Sequence, residues 1–239
     1  MGRTIDIWKA CLQAPSSALA RCASTLSTDE RARAGQFRFD HLQREFILTR
    51  GILRILLGRY LGVEAPAIQF AYGPKGKPHL VECSRTHFNL AHSGELAVFA
   101  FALDCEVGVD VEKIRPISDL AQIGERFFCA AETEELLSEE PSARQEMFFR
   151  CWTRKEAYIK AVGEGVTIPL SNFRVTLKRT DPVKFVHISG NLNEAKAWVL
   201  HDLPLTPAYA GAVAYRADAH ALRMHEVKTG GDWTRLLGR

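Results

Sequence analysis

Val107-Gly108-Val109-Asp110-Val111-Glu112 and, further along, Trp152-Thr153-Arg154-Lys155-Glu156-Ala157-Tyr158-Ile159-Lys160 decide how this chain is read. Strict alternation makes the first a strand, with Val107, Val109 and Val111 on one face and Gly108, Asp110 and Glu112 on the other. In the second, Glu156 and Lys160 lie one helical turn apart, on a segment where Phe148, Trp152 and Ile159 are large enough to be core. The charged pair then falls at the rim of a packed face, and such rims border clefts. Gly108, on the face of Asp110, is expected to leave room for a ligand. Each piece alone has an ordinary reading: a wet strand face, and an i,i+4 ion pair contributing about 0.2–0.5 kcal/mol.

Outward from these, residues 3–8 read as a first strand, and Ser27 with Glu30 forms a capping box that opens a short helix over 28–33. Phe46, Leu53, Leu56, Leu57, Tyr60 and Leu61 recur at helical spacing between Asp40 and Leu61, and Gly62 stops them. Strands are predicted at 68–70, 86–91, 96–103 and 107–112, with Gly73-Pro74-Lys75-Gly76 as a turn; the short intervals favour antiparallel pairing. The order then recurs. Pro141 opens a helix running to Ala161, Gly163-Glu164-Gly165 ends it, and strands follow at 173–178, 184–188, 197–201 and 209–215. The pattern predicts an α+β fold of two helix-then-sheet units, 1–112 and 113–226, whose residues do not visibly match, with 227–239 as a loose tail.

At 239 residues and 46% hydrophobic, the chain can bury a large core. Its 31 basic and 28 acidic residues leave a formal charge of +3, which argues against a nucleic-acid binder and confines any electrostatic function to a local site. Six cysteines are scattered without CxxC pairs and read as reduced, and the eight histidines form no zinc spacing. No run approaches membrane-spanning length, and residues 1–10 alternate like a strand where a signal peptide would be continuously apolar. A cytoplasmic protein with no nucleic-acid or membrane partner is expected. It is expected to be monomeric too, since two internal halves are enough to complete one site.

Asp110 and Glu112, two residues apart on one strand, can reach a common divalent ion, and magnesium suits them because it keeps water and phosphate on its remaining positions. Basic residues supply the complement. Arg31, Arg33, Arg38, Arg44 and Arg50 come early, and Gly76-Lys77-Pro78 fixes a short loop from which one ammonium can point at an anion. His92 stands where a strand meets a turn, placed to donate to a phosphate oxygen.

Taken in order, Gly76-Lys77-Pro78, Phe88-Asn89-Leu90-Ala91-His92-Ser93, Gly108-Val109-Asp110-Val111-Glu112 and Trp152 to Lys160 closely resemble the 4'-phosphopantetheinyl transferases of the larger, surfactin-synthetase-activating (Sfp) type, across residues 27–170. The resemblance implies two pseudo-twofold-related halves, each a long helix on a small, mainly antiparallel sheet, with the active site in the cleft between them. It implies an enzyme that transfers 4'-phosphopantetheine from coenzyme A to a serine hydroxyl of an apo acyl or peptidyl carrier protein, releasing 3',5'-ADP. By motif position, Asp110, Glu112 and Glu156 would hold Mg2+, with Asp110, Glu156 and Lys160 catalytic. Arg33, Arg44, Lys77, His92, Lys155 and Lys160 would contact coenzyme A. Residues 1–112 would take the nucleotide and carry the first metal ligands, whereas 113–226 would carry the Glu156/Lys160 helix and the carrier-docking surface. That surface is expected over Ile114 to Phe128, with Arg115, Ile117, Leu120, Ile123, Arg126, Phe127 and Phe128.

Two positions depart from the family pattern. Ala91 stands where a serine is common, and Glu30 is acidic in a stretch that tends to be basic, which puts adenine and 3'-phosphate contacts in question. A catalytically silent carrier-binding module of the same fold is the alternative, which the intact Asp110, Glu112, Glu156 and Lys160 argue against. A nuclease on the same carboxylates lacks basic-aromatic interleaving.

Overall fold

The computed structural model describes residues 3–73, 76–81, 85–163, 168–216 and 220–228. Its first strand, β1 (Arg3–Cys11), alternates so that Ile5 and Ile7 face one core while Trp8 and Ala10 face another. Two short helices follow, α1 (Ser16–Thr25) and α2 (Thr28–Ala34), the second opened by the expected Ser27/Glu30 capping box. The long helix α3 (Asp40–Leu61) has the predicted bounds and ends on Gly62 at φ 69°, a left-handed conformation that suits glycine. Leu48, Ile52, Leu53, Leu56 and Leu57 of α3 pack with Trp8, Phe88, Phe99 and Phe101. A 3-10 turn (Ala65–Ala67) leads into the hairpin of β2 (Phe70–Tyr72) and β3 (Pro78–Leu80), then β4 (Thr86–Ser93), β5 (Leu96–Leu103) and β6 (Val107–Lys113).

In the second half, α4 (Leu120–Phe127) and α5 (Ala130–Ser138) precede the second long helix, α6 (Pro141–Val162), which ends on Gly163 at φ 78°. Another 3-10 turn (Leu170–Asn172) leads to β7 (Phe173–Val175) and β8 (Phe185–Ile188). Then come α7 (Leu192–Lys196), β9 (Trp198–Asp202), β10 (Tyr209–Arg216) and β11 (His220–Val227). The architecture is α+β, as expected. Lys75, Cys83, Glu164, Gly165 and residues 229–239, on which parts of the turn, helix-end and tail expectations fall, lie outside the described residues.

The sheets correct the boundary between the units. Besides the two-stranded pairs β2-β3 and β7-β8, the described strands form two larger sheets, β11-β1-β5-β4 and β6-β10-β9, so β6 takes its backbone hydrogen bonds from the second half, with Asp110 opposite Ala212. The change of sheet falls after β5, at a turn containing Asp104 with φ 53°, and not at residues 112–113. β11 also leaves the second unit, running parallel to β1 from Arg3 opposite His220 onward. Val107, Val109 and Val111 stack with Val98, Ala100, Ile5, Ile7 and Val213 in a third core between the two sheets. Asn89 of β4 staples that seam, its side-chain oxygen accepting from Val109 N at 2.9 Å.

Candidate active site

The polar face of β6 looks at α6. A Cβ on Gly108 would stand 2.1 Å from Ala157 O and 2.2 Å from Ala161 N, so this glycine makes room for the helix backbone and not for a ligand, contrary to the sequence expectation. With Ala212 and Ala214 beside it, both fully buried, helix and sheet meet at very close range. That approach brings Lys160 Nζ to 2.6 Å from Asp110 Oδ1. Phe148 and Ile159 are core and Trp152 is half-buried against them, which leaves the Glu156/Lys160 strip at the packed rim, as the spacing implied.

The electrostatics follow from this closeness. Asp110 is only 5% exposed; burial pushes its carboxyl up to about 6, against the pull of Lys160 and with added repulsion from Glu156 and Glu112. Glu156 is also raised, first by burial and then by Glu112, with Lys160 opposing. Glu112 is held by Ser93 Oγ at 2.8 Å, with an Arg115 guanidinium nitrogen 3.5 Å away. Three carboxylates thus feel one another with a single lysine among them. Asp110 Oδ2 is buried without a hydrogen-bond partner, an acceptor in need of a donor or a cation. Among the described residues no group of three or more His, Cys, Asp or Glu side chains stands close enough together to hold a metal ion as placed.

Other sequence candidates separate. His92 is exposed on β4 and alternates with Ser93, taking the face of Phe88 and Leu90. Arg33 is exposed with its guanidinium 5.5 Å from the Phe46 ring centre. Arg44 donates to Ala14 O at 3.0 Å and lines a cavity of about 680 Å³ with His41, Gly94 and Glu95. Gly94 in its lining follows Ser93, the residue bonded to Glu112. Glu30, feared as an intruder on an anion site, is buried inside the first half, where it accepts from Arg54 Nε at 2.6 Å.

Of two lysines in the quoted motifs, the structure corrects Lys155. Lys155 is fully buried, 2.7 Å from Glu132 and donating to the carbonyls of Leu170 and Phe173, so its ammonium serves the interior of the second half and not coenzyme A. Lys77 directs its ammonium onto the carbonyls of Lys160 and Ala161 at the end of α6. Sequence reasoning also missed Asn89 and Ser93 as the links from β4 to β6, although both lie inside a quoted motif. In the expected docking segment Phe128 is core, Ile117, Ile123 and Phe127 are half-buried, and Arg115 and Arg126 are exposed.

Two α+β halves meet at a strand of carboxylates and a lysine-bearing helix, a two-lobed α+β class with its polar site at the seam. Family models divide the chain at the same place as the sheets: one described as 4'-phosphopantetheinyl transferase, N-terminal, matches residues 8–103, and one for the 4'-phosphopantetheinyl transferase superfamily matches 106–214. The 4'-phosphopantetheinyl transferase HetI of Nostoc sp. is 41% identical over 88% of this chain and 86% of its own. Psf-1 of Bacillus pumilus is 38% identical over 82% and 81%, and Sfp of Bacillus subtilis 30% identical over 68% and 71%. The chain belongs to the 4'-phosphopantetheinyl transferase superfamily. It is an enzyme that transfers 4'-phosphopantetheine to carrier proteins.

Proposed function

We propose that the donor is coenzyme A, that the acceptor is a serine hydroxyl of an apo acyl or peptidyl carrier protein, and that Asp110, Glu112, Glu156 and Lys160 form the transfer centre. The observation that carries this is the buried Asp110 carboxylate, bonded to Lys160 through one oxygen and orphaned at the other, with Glu156 and Glu112 in its field. An acidic cluster of this kind needs a cation before it can accept a diphosphate. Magnesium fits the donor set, all hard oxygens and few of them, and Asp110, Glu112 and Glu156 would hold it. When bound it supplies charge neutralisation for the diphosphate and the leaving phosphate.

The chain's own residues do the rest. Lys160 is 30% exposed, so its ammonium can meet a phosphate oxygen while keeping Asp110 company. Glu156, whose carboxyl is raised from its ordinary value by burial, is a better base than a free glutamate and is suited to take the proton of the attacking serine. The serine oxygen forms a bond to the β-phosphorus as the bond to the bridging oxygen breaks, and 3',5'-ADP leaves. The Arg44 cavity, which includes Gly94 next to Ser93 in the chain, would take the nucleotide, and Arg33 and His92 are exposed and available to its phosphates. An acidic carrier helix would dock on the half-buried Ile117, Ile123 and Phe127, flanked by Arg115 and Arg126.

Among the described residues no helix is long and apolar enough to cross a membrane. The test is incubation of the protein with magnesium, coenzyme A and several apo carriers, followed by intact mass spectrometry. A phosphopantetheine adduct that needs both magnesium and coenzyme A is expected. Its absence from every carrier, with the protein folded, would overturn the reading.

A further inference from the structure

The β2–β3 loop belongs to the first half, yet its lysine ends on the catalytic helix of the second. Its described residues are tied together: Gly76 N donates to Gly73 O at 2.8 Å, Gly73 N to Lys77 O at 3.0 Å, and Gly76 sits at φ 80°, where only glycine is comfortable. From it Lys77 Nζ reaches Lys160 O at 2.6 Å and Ala161 O at 3.0 Å. These are among the last carbonyls of α6, which have no donor within the helix and stand at the negative end of its dipole. The stem lies over the helix end, since a Cβ on Gly163 would be 3.2 Å from Lys77 Cδ.

Lys160 is therefore held twice, by its carbonyl to Lys77 and by its ammonium to Asp110. We propose that Lys77 is a positioning residue: reaching across from the first half, it fixes the last turn of α6 and so sets where the Lys160 ammonium stands. This rests on the role given to Lys160 above. It gives Lys77 a function in transfer without contact to coenzyme A. It also makes the helix end, which carries the reacting cation, depend on the two halves being docked.

The experiment uses the full chain with magnesium and an apo carrier that the wild type modifies, comparing Lys77→Met and Lys77→Arg on coenzyme A and on 3'-dephospho-coenzyme A. Misplacing a reacting group costs about tenfold to hundredfold, so kcat of Lys77→Met should fall by about that factor with KM for coenzyme A changed less than about threefold. The preference for coenzyme A over its dephospho form should be unchanged, Lys77→Arg should recover much of kcat, and amide exchange over residues 160–163 of the free protein should quicken in Lys77→Met. A raised KM with intact kcat and a lost preference would make Lys77 a coenzyme contact and overturn the proposal. A lowered melting temperature with kcat and KM unchanged would reduce it to a structural tie, which also overturns it. An inactive wild type would sink the transfer reading itself, a result distinct from an active wild type beside an unimpaired Lys77→Met.

Discussion

The two long helices, α3 and α6, are built alike and used differently. Each has 22 residues and ends on a left-handed glycine. Each also buries a cation fourteen residues after its start, Arg54 in α3 and Lys155 in α6. Arg54 is 2.6 Å from Glu30, the capping-box glutamate of α2, and donates to the carbonyls of Ala65 and Ile68 around the following 3-10 turn. Lys155 is 2.7 Å from Glu132, the capping-box glutamate of α5, and donates to Leu170 and Phe173 around its own 3-10 turn. Even the rings correspond, with Arg54 over Phe70 at the start of β2 and Lys155 over Phe173 at the start of β7. One residue later the copies part: Ile55 faces Glu156 in the comparison, and Arg59 faces Lys160. The lock that orders each half was duplicated, while the chemistry sits on one copy.

Breaking the lock is the largest test. Removing one partner of a buried ion pair leaves the other charge uncompensated, which costs about 3–5 kcal/mol. Lys155→Met and Arg54→Met should both lose stability on that scale in urea unfolding. Adding Glu132→Gln to Lys155→Met should recover part of the loss, because the unpaired charge goes with it. If one helix tolerates the change and the other does not, the two locks are not the same device.

The next test separates the copies by function. Glu156→Gln and Lys160→Gln should lower kcat by about a hundredfold to a thousandfold, the scale for removing an electrostatic contributor to the transition state, with the melting temperature near wild type for Glu156→Gln and lowered for Lys160→Gln, which leaves the buried Asp110 without its ion-pair partner. Arg59→Ala, the counterpart on α3, should leave transfer unchanged. A comparable kinetic loss from Arg59→Ala would mean that both helices contribute chemistry.

A third difference appears on titration. Asp110 titrates near 6 in the folded protein against an ordinary 3.8, so between those values the folded state holds a proton that the unfolded state has released. Its contribution to stability is therefore present below pH 4 and lost as pH rises through 6, of order 2–3 kcal/mol. Glu156, raised as well, acts in the same direction. In metal-free buffer the stability of Asp110→Asn relative to wild type should rise from pH 4 to pH 7. A constant difference across that range would remove the buried carboxylate from the account.

Much of this was legible in the chain and some was not, for physical reasons. The bounds of α3 and α6 could be read because helical periodicity and a terminal glycine act locally. The polar face of β6 could be read because strand alternation does. Lys155 could not: within Arg154-Lys155-Glu156 it looks solvated, and only the distant Glu132 explains its burial. Glu30 misled for the same reason, its partner Arg54 lying on another helix. The helices α1, α4 and α5 have 10, 8 and 9 residues, too few turns for an apolar repeat to stand out from its surroundings, and β11 is ordered by pairing with the other end of the chain. The reason for Gly108 was invisible too, because the backbone that fills its space belongs to α6.

The smallest test asks whether the first half reaches the centre only as support. Ser93 Oγ donates to Glu112 at 2.8 Å and accepts from Lys113 N at 3.1 Å, so one hydroxyl orients a carboxylate and satisfies a backbone donor across the seam. Ser93→Ala should cost about 1 kcal/mol, the net worth of a typical hydrogen bond, and slow transfer severalfold while leaving KM for the carrier unchanged. The effect should depend on magnesium, because a loosened Glu112 binds a cation less well: raising magnesium should restore much of the rate in Ser93→Ala but none in Glu156→Gln. A rate loss that magnesium cannot touch would mean that Ser93 meets the substrate directly, and that the first half takes part in the chemistry its own helix lacks.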